Sequence, residues 1–398
     1  MSDLFPRIPN EEFEKRIALL REKMKKADVE IAVGFSNLLD PSIVRYFTDF
    51  SAVNESSAII IPAEGEIVLC SGQASLDYAQ IKNRLKNTRI IAFPEVGEVS
   101  GFEYDFEGQM NFREYFGQFK KSRQIRKIAL MGKLIFPAVI YNSLREVFPN
   151  AEIVDFDAEL YDIRLHKSEN EIDVMEKCAE IISETFKKVM PEIKEGMTEL
   201  EIQAMLESEM LRLGGESYVQ AFAPMVATGK ENSFISMCRN TLRKVKSGEI
   251  LNIAAGVCYE GYNAIICTPH VIGEVPLEIK KAIKCAYEAL NLAAESMVAG
   301  ASADKVVNAY TEYLKDAGYI EFCPYGSLHS IGMLECEAPL FSAENKRTIE
   351  KDTVMCIDAY FKGMEWGSFR IEDCYLITEN GTKRTTSYND SAIPQLIK

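Results

Sequence analysis

The chain has 398 residues, 47% of them hydrophobic, enough to bury a core in each of two domains of ordinary size. With 45 Lys+Arg against 60 Asp+Glu and a net charge of −15, it offers no basic surface for a phosphate backbone, which excludes nucleic acid as an expected partner. No run approaches the ~20 apolar residues of a membrane span, and the first ten residues carry two Pro and no signal-like apolar core, so a cytoplasmic protein without membrane contact is expected.

Ten Cys run from Cys70 to Cys374 without a C-x-x-C pair, and read as free, mostly buried thiols rather than a disulfide framework or a zinc site. The segment Glu11 to Lys26 spaces Phe13, Ile17, Leu20, Met24 and Ala27 at helical intervals behind Asn10, a candidate N-cap. Short β-rich runs follow at 30–34, 58–62 with 66–70 as a hairpin, 89–93, 127–131 and 152–156, which predicts an α/β domain.

Near Tyr161 the pattern changes to long helices. Ser168-x-x-Glu171 and Thr198-x-x-Glu201 are capping boxes, the first leading into Ile172, Met175, Ala179, Ile182, Phe186 and Val189 on one face. Strand-like sequence runs from Tyr218 to Gly273; a second helix pair is predicted at 277–298 and 302–317, and strands resume from Tyr325 to Thr378. The repetition predicts a pseudo-twofold domain with a cleft where its two halves meet. The boundary is placed between Ala158 and His166, giving domains 1–160 and 161–398 in an α+β chain.

The motifs Asp162-Ile-Arg-Leu-His-Lys-Ser-Glu-Asn-Glu-Ile172, Phe222-x-Pro-x-Val-Ala-x-Gly229, Lys246-Ser-Gly-Glu-Ile-Leu251, Gly261-Tyr262, His329-Ser-Ile-Gly332, Glu337-Ala-Pro339 and Arg370-Ile-Glu-Asp373 resemble the creatinase/aminopeptidase P/prolidase superfamily. The resemblance covers nearly the whole chain. It implies a creatinase-type N-terminal α/β domain followed by a pita-bread catalytic domain, and a homodimer.

The resemblance also implies a donor set of two Asp, one His and two Glu for a pair of divalent metals. The two Asp positions fall on Ala254 and Ile265, the His on His329, the first Glu on Asp358 and the last Glu on Glu372. Two carboxylates and one imidazole would leave about two positive charges uncompensated beside two divalent ions, which argues against a dinuclear centre. A single metal on His329, Asp358 and Glu372 is the minority alternative, since Asp358 is one methylene shorter than Glu, and the expectation is no metal and no cofactor. The acid/base His of creatinase falls near Met237, so that catalytic set is missing too.

His329, Asp358 and Glu372 are therefore the catalytic candidates, and Phe222, Cys267, His270 and Arg370 the substrate-binding ones. Paired carboxylates near one His share protons with shifted pKa values. His270 lies beside the altered Asp position, with its direction left open. Tyr218, Phe222 and Trp366 read as pocket wall or core, Cys336 falls on a second His of the peptidase motif, and His166 reads as a boundary side chain. Three readings follow: a metal-independent C–N hydrolase acting on a small polar amidine, ureido or amide substrate; a degenerate peptidase fold that binds a small molecule or protein; or an Xaa-Pro peptidase with a reduced metal site.

Overall fold

The computed structural model describes residues 5–98, 108–216, 222–233, 239–324 and 327–398. The chain divides into two compact units, Ile8–Arg164 and Leu165–Lys398, the latter joined by the first residues of the chain.

In the first unit, α1 (Asn10–Lys26) buries Phe13, Ile17, Leu20 and Met24 on one stripe, the pattern its spacing predicts. Its start differs from expectation: Asn10 is already helical and Pro9 holds the N-cap position, so no side chain caps the helix. The chain continues through β1 (Ile31–Ser36), α2 (Ser42–Thr48), β2 (Ser57–Pro62), β3 (Ile67–Ser71), α3 (Leu76–Lys82), β4 (Thr88–Ala92), α4 (Phe112–Ser122), β5 (Lys127–Met131), α5 (Ala138–Val147), β6 (Glu152–Asp155) and α6 (Asp157–Leu165). The six strands form one sheet in the order β4-β3-β2-β1-β5-β6, antiparallel between β1, β2 and β3 and parallel elsewhere. Strands β1 to β3 are buried throughout their length, as their unbroken Ile/Val/Leu runs require of a sheet covered on both faces.

The second unit opens with α7 (Glu169–Val189) and α8 (Glu199–Arg212), and both predicted capping boxes form. Ser168 Oγ accepts from Glu171 N at 3.2 Å while Glu171 Oε2 accepts from Ser168 N at 2.8 Å. Then come β7 (Met225–Thr228), the single turn α9 (Gly229–Ser233), β8 (Ile250–Tyr259), β9 (Tyr262–Val271), α10 (Leu277–Ser296), α11 (Ala303–Asp316), β10 (Ser327–Ser330), β11 (Glu337–Phe341), β12 (Val354–Met364), β13 (Gly367–Thr378), β14 (Gly381–Arg384) and α12 (Tyr388–Leu396).

Twice, then, a helix pair precedes a long hairpin. An isolated bridge ties Thr198 to Lys244 and another ties Ser302 to Thr348, with the same offset between the halves at both ends. The β8–β9 hairpin closes at Glu260-Gly261, both at positive φ (+48° and +84°), the pairing that a two-residue turn between right-twisted strands demands. The sheet runs β11-β10-β12-β13-β9-β8-β7, with β14 on β13. Helix α7 covers one face of β8–β9, where Cys178 Sγ donates to Val257 O at 3.0 Å and Tyr262 Oη donates to Glu171 Oε1 at 2.5 Å. Helices α10 and α11 cover β12–β13 through Ile283, Ala286, Leu290, Val306 and Tyr310 against Ile357, Ala359, Phe361 and Ile371.

Candidate active site

Because side chains alternate along a strand, the residues between those core positions point to the face opposite α10 and α11. On β12 these are Cys356, Asp358 and Tyr360, and on β13 Arg370, Glu372 and Cys374. Register brings them together: Asp358 pairs with Glu372, Glu372 with Cys267, Cys267 with Ala254, and His329 with Cys356. His329, Asp358, Glu372, Arg370 and Cys267 thus form one buried cluster.

His329 Nε2 lies 3.2 Å from Glu372 Oε1 and 3.8 Å from Glu335 Oε1, while Nδ1 meets Ser330 O at 3.1 Å. Arg370 Nε is 3.4 Å from Asp358 Oδ1, its Nη1 is 4.0 Å from Glu372 Oε2, and its guanidinium stacks over the Tyr360 ring at 5.2 Å. The guanidinium is therefore engaged with the protein's own acids.

Burial and charge set the protonation of this cluster. Burial would lower the His329 imidazole, but hydrogen bonds to Cys336 and Glu372 and the Glu372 charge carry it well above its ordinary value. Burial would raise Glu372, yet the His329 hydrogen bond, the charges of His329 and Arg370 and the Cys267 hydrogen bond hold it below the usual carboxylate range. Burial and the neighbouring Glu372 charge raise Asp358 to about 7 against the opposing Arg370, and the same two causes raise Glu335 to about 7. Burial keeps Cys267 a thiol, its pKa well above the ordinary value, so it serves as a donor rather than a nucleophile.

The positions that resemble metal ligands do not assemble a two-metal centre. Ala254 and Ile265 sit in fully buried strand positions with no donor atom, and Asp358 is turned to Arg370. A dinuclear centre does not fit the residues present. Among the described residues, one group does bring metal-ligating atoms within 4.8 Å of one another: His329, Cys356 and Glu372, a set in which Cys356 stands where Asp358 was considered.

Phe222 stands over the same face. A Cβ built on Gly256 would lie 2.9 Å from Phe222 Cβ and 3.1 Å from its backbone N, and Gly256 N donates to Phe222 O at 2.9 Å. His270 corrects the expectation: in the regular β8–β9 register it lies three residues from Cys267 and so on the opposite face, where burial alone lowers it to about 4. Trp366 stacks on Phe369 at 6.0 Å and packs against the core, so it is not pocket wall. His166 pairs with Glu350 at 3.2 Å, away from the cluster, as a boundary side chain would. Tyr218 and Met237 lie outside the described residues. Glu335, Cys356 and Cys374 were not anticipated, although Cys356 and Cys374 each stand two residues from a predicted carboxylate and must share its face.

Residues 173–379 match metallopeptidase family M24, and residues 16–166 match the creatinase/prolidase N-terminal domain. An Xaa-Pro dipeptidase from Pyrococcus furiosus is 26% identical over 92% of this chain and 97% of its own length. One from Pyrococcus horikoshii is 29% identical over 62% of this chain and 70% of its own. Among solved structures, a prolidase from Thermococcus sibiricus superposes with a TM-score of 0.82 at 20% identity over 94% of this chain and 97% of that one. An X-Pro aminopeptidase from Thermotoga maritima gives 0.79 at 22% identity over 93% of this chain and 97% of that one. A creatinase-type N-terminal domain followed by a pita-bread domain, carrying that family's sequence from Asp173 to Glu379, makes this chain a member of metallopeptidase family M24.

Proposed function

We propose that the protein is a metal-independent hydrolase that cleaves a C–N bond in a small polar amidine, ureido or amide substrate. The observation that carries this reading is the buried His329 Nε2 to Glu372 Oε1 contact at 3.2 Å beside carboxyls that titrate at about 7. An imidazole held well above its ordinary pKa is cationic at neutral pH, so its Nε2–H is a general acid for the leaving nitrogen. A carboxyl at about 7 is half ionised at neutral pH, which suits Asp358 to orient a water molecule and take its proton as the C–O bond forms. As the C–N bond breaks, His329 delivers its proton to the departing nitrogen, and Glu372 stays ionised to hold the ring. Arg370 fixes Asp358, and Phe222 supplies an apolar wall. The protein acts in this reading as a cytoplasmic homodimer, which sedimentation tests.

The buried Ala254 and Ile265 favour a second reading, a small-ligand binding module, because apolar replacements do not rebuild a polar centre. The names of the dipeptidase relatives favour a third, Xaa-Pro cleavage. Chelator-treated protein assayed on amidine, ureido, N-methyl amino-acid and proline dipeptide panels separates them. The expected result is turnover insensitive to chelator that falls ~100-fold or more in His329→Gln. A ligand-induced rise in melting temperature without turnover would establish the binding module; cleavage of proline dipeptides that needs Mn²⁺ would establish the peptidase.

A further inference from the structure

We infer that His329, Cys356 and Glu372 form a site for a single thiophilic divalent cation of the zinc class, in place of the two hard-cation positions that the buried Ala254 and Ile265 have closed. The three donor atoms lie within 4.8 Å of one another. A tetrahedral zinc with bonds of about 2.0–2.2 Å to N and O sets those two atoms about 3.3 Å apart. His329 Nε2 and Glu372 Oε1 stand at 3.2 Å.

The imidazole is oriented as a ligand: Nδ1 meets Ser330 O at 3.1 Å, which fixes the ring and points Nε2 at the cluster. A second sulfur stands by, with Cys374 Sγ 3.6 Å from Cys356 Sγ; two thiolates on one zinc are about 3.8 Å apart.

Charge selects one ion rather than two. The three ligands, a neutral imidazole, one thiolate and one carboxylate, carry −2, which one divalent cation cancels within the buried cluster; Arg370 already answers Asp358 there, and a second cation would be unmatched. The sulfur donor selects among metals, because thiolate favours zinc-class ions over Mn²⁺ or Mg²⁺. Binding forms three metal–ligand bonds and releases to solvent the Cys356 thiol proton and any proton on His329 Nε2. An approach also exists: the exposed Cys336 hydrogen-bonds His329, and Glu335 stands 3.8 Å from Nε2. Occupancy removes the proton that the hydrolase reading assigns to His329, so zinc would inhibit that reaction, but the site itself is independent of that reading.

The test uses full-length, chelator-stripped protein titrated with Cd²⁺, a zinc surrogate whose thiolate bonds absorb in the ultraviolet, and then with Zn²⁺ in competition. The expected result is one equivalent of Cd²⁺ with a thiolate-to-cadmium band, displaced by Zn²⁺ and untouched by excess Mn²⁺. Folded Cys356→Ala should lose most of the band and bind ~10-fold or more weakly, while Asp358→Asn keeps both band and affinity. If Cys356→Ala does not fold, cadmium NMR of the unmodified protein reads sulfur ligation from the chemical shift. Absence of the band, a band and affinity unchanged in folded Cys356→Ala, or a cadmium shift typical of oxygen and nitrogen donors alone would overturn the site.

Discussion

Cys267 donates its thiol to Glu372 Oε2 at 3.1 Å from the neighbouring strand, so the half of the domain that has no acid at the cluster still governs the acid of the other half. The donor stabilises the ionised carboxylate and is one reason that Glu372 stays below the usual range.

Cys267→Ala removes that donor. Glu372 should then titrate higher, and the acid limb of the kcat/KM profile should move to higher pH. The lost hydrogen bond to a charged group also costs roughly 1–3 kcal/mol of stability. The stability contributed by a depressed carboxylate is present at high pH and lost as pH falls through its folded pKa, so the deficit of the variant should shrink in acid. An acid limb that does not move would show that the thiol has no hold on Glu372.

Gly256→Ala tests the cleft wall. Its new methyl would sit 2.9 Å from Phe222 Cβ and 3.1 Å from a backbone nitrogen that cannot swing aside. We expect about 1–3 kcal/mol of destabilisation and a raised KM with kcat nearly held, since the methyl displaces a wall and no proton-transfer group. Denaturant titration and steady-state kinetics measure both, and an unchanged KM would remove Phe222 from the binding site.

Asp373 offers a stability experiment outside the cluster. It is fully buried, accepts from Thr386 Oγ1 at 2.7 Å and Asn389 Nδ2 at 3.1 Å, and burial raises it to about 7 despite Arg384. A carboxyl with a raised folded pKa stabilises most below its unfolded pKa and loses that contribution as pH rises through the folded value. Asp373→Asn keeps the neutral shape, so its stability relative to the parent should improve by up to ~3 kcal/mol between pH 5 and 8, about two pH units at 1.4 kcal/mol each. A pH-independent difference would mean that the acid is ionised throughout.

Elements whose determinants lie within a few residues were legible. Ser168 with Glu171 and Thr198 with Glu201 spell out their helix starts, and the Ile/Val runs of β1 to β3 spell out strands. At Asn10 the same local signal missed by one position, because Pro9 already supplies a suitable φ for the start. The cluster was legible where a motif carried it, at His329, Asp358 and Glu372. It was illegible where orientation depends on register: His270 stands three residues from Cys267 and faces away, while Cys356 and Cys374, two residues from their acids, face in. Glu335 joins the cluster through the irregular connection between β10 and β11, which no strand periodicity describes.

The duplicated hairpins now differ in kind. Ala254, Ile265 and Cys267 come from the first; Asp358, Arg370 and Glu372 come from the second, with His329 and Glu335 beside them. A cleft built by repetition has thereby acquired a polarity, with one bank largely apolar and one ionic. In the hydrolase we propose, a substrate would meet these banks end for end, its hydrocarbon portion toward Phe222 and its hydrogen-bonding head toward His329.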